Sequence, residues 1–87
     1  MYNEMKKVAE DYFNEIKHYA YVCHPSFTEA SLDIGVFHVT QPGEALVGRT
    51  SIFIHDYKKH GDAVIKHEID KLVRTLHESV DAYESQS

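Results

Sequence analysis

The chain has 87 residues, 43% of them hydrophobic and 26% charged, with nine Lys and Arg against fourteen Asp and Glu for a formal charge of -5. That length suits one domain over residues 1–87, and 11% Phe and Tyr is more than a disordered tail carries. A single Cys excludes an internal disulfide framework; with no apolar run near the ~18 residues of a membrane span, the expected setting is cytoplasmic, with no membrane partner.

From the N-terminus, Tyr2, Met5, Val8, Ala9, Tyr12, Phe13, Ile16, Tyr19 and Ala20 recur at three-and-four spacing, which predicts a helix over residues 2–20. Lys6, Lys7, Glu10, Asp11, Glu15 and Lys17 fall on its solvated side. The stretch Tyr19 to His24 suits either a helix end or a short edge strand, and its Tyr, Val and Cys tilt the reading towards a strand. Pro25 ends that segment, and Ser26 to Ser31 reads as a polar connection.

Val, Ile, Phe, Thr and Gly then dominate Leu32 to Thr40 and Ala45 to Tyr57, two strands of a hairpin turning at Gln41-Pro42-Gly43-Glu44. A three-residue loop at Pro42 to Glu44 sets Gln41 against Ala45, Val39 against Val47 and Ile34 against Ile52. Leu32, Ile34, Val36, His38, Leu46, Gly48, Thr50, Ile52 and Ile54 then share a core face. Opposite them fall Asp33, Phe37, Val39, Val47, Arg49, Ser51, Phe53, His55 and Tyr57. Three aromatics on that side call for cover, from the Tyr19 to Pro25 segment, a terminus or a second chain, so the candidate interface is Phe37, Val39, Val47, Arg49, Phe53, His55 and Tyr57.

Lys58-Lys59-His60-Gly61 reads as a break, Asp62 as the cap of a second helix, and Ala63 to about Tyr83 as that helix. Its buried stripe is Ile65, Ile69, Leu72, Leu76, Val80 and Tyr83, while Glu84 to Ser87 should fray. The expected fold is α+β: a small α-β-β-β-α domain, an antiparallel sheet with two helices packed on one face.

Histidine is the abundant reactive type, at positions 18, 24, 38, 55, 60, 67 and 77, with Cys23 beside His24. Neither Cys-x-x-Cys nor His-x-x-x-His occurs, so no metal site or cofactor is expected. Cys23 and His24 diverge on an extended chain, as do His55 and Asp56 if both lie in a strand. No nucleophile, base and orienting group stand out as a set, and the four glycines are dispersed rather than gathered in a phosphate loop. The expectation is a protein that is not an enzyme.

Charge is uneven along the chain. Residues 58–77 carry Lys58, Lys59, Lys66, Lys71 and Arg74 against Asp62, Glu68 and Asp70, a local +2 in an acidic, histidine-rich chain. These five cations are the candidate RNA contacts, though interspersed acids favour an ordinary solvated helix face. The final helix reads Val64-Ile65-x-x-x-Ile69-Asp70-Lys71-Leu72-x-Arg74-x-Leu76, and the first contains Phe13-x-x-Ile16-x-x-Tyr19. Both resemble the helices of the ribosome hibernation-promoting factor family, which implies a helix, three strands, helix order and rRNA contact by Lys66, Lys71 and Arg74. The family's leading strand and strongly basic surface have no counterpart in this chain. A second likeness is to small phage tail-completion proteins, which run helix, sheet, helix and assemble into rings.

The leading expectation is a non-enzymatic interaction protein acting through protein-protein contacts, as a homo-oligomer or as an accessory or inhibitory partner of a larger assembly. A ribosome- or RNA-associated factor and a tail-completion-type assembly protein are the alternatives. Protonating all seven histidines, whose unperturbed pKa is ~6.5, would move the formal charge from -5 to +2, so association is expected to depend on pH.

Overall fold

The computed structural model describes residues 1–16, 19–39, 43 and 45–85. Helix α1 (Tyr2–Ile16) leads into strands β1 (Ala20–Ser26), β2 (Ser31–Val39) and β3 (Ala45–Phe53), followed by a short helix α2 (Ile54–His60) and a long helix α3 (Asp62–Ser85). The strands form one antiparallel sheet in the order β1-β2-β3. Helices α1 and α3 pack together on one face of it, as expected for the α+β layout.

Side-chain alternation decides which residues meet the helices. Even-numbered residues of β2 and β3 and odd-numbered residues of β1 point inward, so Cys23, Leu32, Ile34, Val36 and Ile52 are buried. Met5, Ala9 and Phe13 of α1 and the stripe Ile65, Ile69, Leu72, Leu76 and Val80 of α3 close over them. Phe13 stacks on Tyr21 with ring centroids 4.4 Å apart, fixing the end of α1 to β1. Tyr12 Oη donates to Asp70 Oδ1 at 2.5 Å, tying α1 to α3, and that bond together with partial burial raises the Tyr12 pKa above its ordinary value.

Several expectations need correction. Helix α1 stops at Ile16 rather than residue 20, because Ala20 already pairs with Phe37 in the sheet; Lys17 and His18 lie outside the described residues. Strand β1 continues through Pro25 to Ser26, a position open to proline because β1 is an edge strand. Within the hairpin, Val39 pairs with Ala45, Phe37 with Val47 and Ile34 with Thr50, two residues from the expected register. An even shift keeps every side chain on its expected face. Of the turn, Thr40, Gln41, Pro42 and Glu44 lie outside the described residues, as do Gln86 and Ser87 of the tail. Glu84 and Ser85, expected to fray, complete α3.

The largest departure is α2. Strand β3 ends at Phe53, and Ile54 N–H donates to the Ala30 carbonyl at 2.9 Å before the chain coils. In a strand Ile54 and Tyr57 would face opposite sides of the sheet; three apart on a helix they turn the same way, and both pack against the core. Lys58, Lys59 and His60 therefore belong to α2, and only Gly61 breaks the chain, at φ 70°, a backbone angle glycine adopts without steric cost. Asp62 is the first residue of α3, and its carboxylate accepts the Tyr57 hydroxyl at 3.3 Å. His55 and Asp56 do not diverge as strand neighbours would; on α2 their side chains meet, with Nε2 to Oδ1 at 3.2 Å.

Candidate interface on the open sheet face

Helices α1 and α3 occupy one side of the sheet, and Ile54 and Tyr57 of α2 pack against the same core. No helix or strand of the described chain therefore lies on the other side, although Ser31 there is fully buried. The register arranges that side in rows across the three strands: Ser26, Ser31 and Phe53; His24, Asp33 and Ser51; Val22, Gly35 and Arg49; Ala20, Phe37 and Val47; and finally Val39 with Ala45. Residues within a row stand ~5 Å apart at Cβ, and successive rows are ~6.7 Å apart along the strands.

Chemistry varies in order along these rows. One end is apolar, with Val39 and Val47 exposed at 66% and 52% beside half-buried Phe37, and Val22, 42% exposed, stands on the middle row with Gly35 and Arg49. A polar band crosses the middle. Asp33 accepts hydrogen bonds from Ser51 at 2.7 Å and Ser31 at 3.1 Å, both on Oδ1, and has no cation among its described partners. Arg49, on the next row, makes no ion pair among the described residues. The band borders a shallow depression of about 560 Å³ whose floor is Gly35. Beyond it stands Phe53, 39% exposed, with the His55 ring stacked 5.9 Å away.

Of the expected interface residues, Phe37, Val39, Val47, Arg49 and Phe53 share the open face. His55 and Tyr57 do not belong to it as strand residues: both sit on α2, with Tyr57 turned to the core, where burial and Asp62 raise its pKa. The expected cluster of three aromatics is thus dispersed. Phe37 lies six residues along β2 from Ser31, the partner of Phe53, which separates the two rings by ~20 Å. The contributions of β1, namely Ala20, Val22 and His24, fall outside the expected set; their alternation with Tyr21, Cys23 and Pro25 is the signal in the sequence that marks them.

The candidate RNA contacts are spread. Lys58 and Lys59 lie on α2, while Lys66 and Lys71 are ~140° apart around α3. Lys66 Nζ lies 5.8 Å from the Tyr12 ring centroid, Lys71 pairs with Glu68 at 3.7 Å, and Arg74 borders a depression shared with Asp70 and His77.

The same rows bear on catalysis. His24, Asp33 and Ser51 form one row, but Asp33 is the middle member, so His24 and Ser51 are two strand spacings apart, ~9.6 Å. A base must reach its nucleophile within ~3 Å. Cys23 faces the core, away from His24, and burial pushes its thiol up to about 11, far from a reactive thiolate. Among the described residues no three His, Cys, Asp or Glu side chains gather as a metal-binding group, and no helix is long and apolar enough to cross a membrane. No family model, curated protein or solved structure matches the chain.

Proposed function

We propose that this is a non-enzymatic interaction protein that works by protein-protein contact through its open sheet face. One observation carries the reading: a three-stranded sheet with four exposed large apolar side chains, Val22, Val39, Val47 and Phe53, on the side its helices leave bare. Apolar side chains grouped on one surface mark sites that bury against another macromolecule. The separation of His24 from Ser51 and the buried thiol of Cys23 support the non-enzymatic part. A ribosome- or RNA-associated role ranks second, because its candidate cations are divided among different surfaces and interleaved with acids. A tail-completion-type assembly role would use the same sheet face. A cytoplasmic location is consistent with all three.

The test is a pair of charge insertions, Val47→Asp and Phe53→Asp, read by light scattering after size exclusion, by affinity capture and by circular dichroism. Loss of self-association or of a captured protein with native helicity supports the reading. A wild type that stays monomeric up to the millimolar range and from which neither variant loses any bound protein removes it.

A further inference from the structure

Resting on that reading, we infer that the occupant of the open face is a second copy of this chain, docked about a two-fold axis that crosses the strands over Cys23, Ile34 and Thr50. These three residues lie in one register row, with Cys23 paired to Ile34 and Ile34 to Thr50. A two-fold axis there, lying between the two sheets and perpendicular to the strands, lays each strand antiparallel over its own copy. Residues equidistant from the axis then face each other: Phe53 meets the partner's Val47, Ser51 meets the partner's Arg49, and Asp33 meets the partner's Gly35, while Ser31, already fully buried, adds no contact.

Two independent complementarities follow from that one placement. Arg49, which has no ion pair among the described residues, arrives over Ser51 and beside Asp33, whose Oδ2 is not used by Ser31 or Ser51. The contact occurs twice by symmetry, so two charges of each sign are matched across the interface. At the same time Phe53, isolated at one end of its own sheet, lands on the apolar end of the other. Moving the axis by one residue in either direction loses this pairing, setting either Arg49 against Arg49 or Asp33 against Asp33. Gly35 adds no side chain of its own beneath the partner's Asp33, and Val22 Cγ2 leans over it, 3.3 Å from where a Cβ would stand.

The available area fixes the strength. Three strands ~4.8 Å apart and about nine residues long make a face of roughly 14 by 30 Å, so two faces remove on the order of 850 Å² from water. Stable specific interfaces begin at ~1,200 Å². The dimer is therefore weak and concentration-dependent, two sheets stacked ~10 Å apart.

Charge exchange tests the axis. In sedimentation equilibrium the wild type should form dimers as its concentration rises towards the millimolar range, whereas Arg49→Asp and Asp33→Arg should each bind themselves at least tenfold more weakly. An equimolar mixture of the two variants should recover the dimer. The carboxylate introduced in one variant then meets the guanidinium introduced in the other, and the unaltered Asp33 of the first pairs with the unaltered Arg49 of the second. Since Asp33 anchors two serines, Ser51→Lys serves as a second partner for Arg49→Asp, with folding followed by circular dichroism. A wild type that stays monomeric throughout, or folded variants whose mixture does not associate, overturns the two-fold. A monomeric wild type that still loses a captured protein on Val47→Asp leaves the face as an interface and removes only the second copy.

Discussion

Gly48 of β3 lies directly beneath Leu72 of α3: a Cβ built on the glycine would stand 2.9 Å from Leu72 Cδ1 and 3.5 Å from its Cγ. The absence of a side chain at one sheet position is what lets the long helix settle against β3. Gly48→Val should cost ~1–3 kcal/mol by overpacking. Because the nearest atom is a leucine methyl, the cost should fall in a Leu72→Ala background. Urea denaturation of the four proteins in that double-mutant cycle measures the coupling; equal costs in both backgrounds would remove the steric account.

Core and open face should separate cleanly in stability. Ile69 is fully buried under the sheet, so Ile69→Ala should lose ~2–5 kcal/mol, from transfer and the cavity left behind. Val39 is 66% exposed, so Val39→Asp should stay within ~0.5 kcal/mol of the wild type at concentrations where the chain is monomeric. Thermal melts of dilute protein would show the contrast.

Alkaline pH should weaken the fold. The Cys23 thiol is pushed up to about 11 from an ordinary 9.0, mainly by burial and then by the nearby Glu10. The native state thus holds this proton when the unfolded chain has released it. Its contribution is complete below pH 9.0 and declines as pH rises towards 11. Tyr12, whose pKa is raised chiefly by its bond to Asp70, acts in the same direction. A thiol-specific chromogenic reagent at pH 8 should react slowly with native protein and rapidly in urea; equally fast reaction in both would contradict the burial.

Ala30 closes the turn between β1 and β2 with φ 53°, the one non-glycine residue at positive φ among those described. Ala30→Gly removes a Cβ clash but frees the unfolded chain, two effects of ~1 kcal/mol that nearly cancel. Ala30→Val should lose ~1 kcal/mol or more, since β-branched side chains fit this region poorly. Melting temperatures of the two variants, expected to differ by several degrees, provide the check.

Sidedness was legible in the sequence because strand side chains repeat every two residues, and the inward set from Leu32 to Ile52 carries five aliphatic residues, Leu32, Ile34, Val36, Leu46 and Ile52, against Val39, Ala45 and Val47 outward. Register was not: moving Val39 from Val47 to Ala45 is an even shift, and the apolar pattern is blind to even shifts. The end of β3 was hidden for a related reason. Ile54 continues the inward alternation from Ile52, and only the joint burial of Ile54 and Tyr57 distinguishes a helix from a strand there. The same ambiguity carried His55 and Tyr57 into the candidate site. The polar row of His24, Asp33 and Ser51 draws one residue from each strand, so no local spacing could announce it.

Strand β3 also forms an outer edge of the sheet, and from Ala45 to Phe53 it contains neither proline nor any charge except Arg49. A long uncharged edge is a template on which further chains can add strand by strand. Arg49 thus guards against growth sideways as well as matching charge across the face. Replacing it by a neutral residue would leave nine consecutive uncharged residues on an open edge. Such an edge invites further strands to pair, so light scattering that grows on standing in Arg49→Ala, and not in the wild type, would show that this arginine keeps the complex finite.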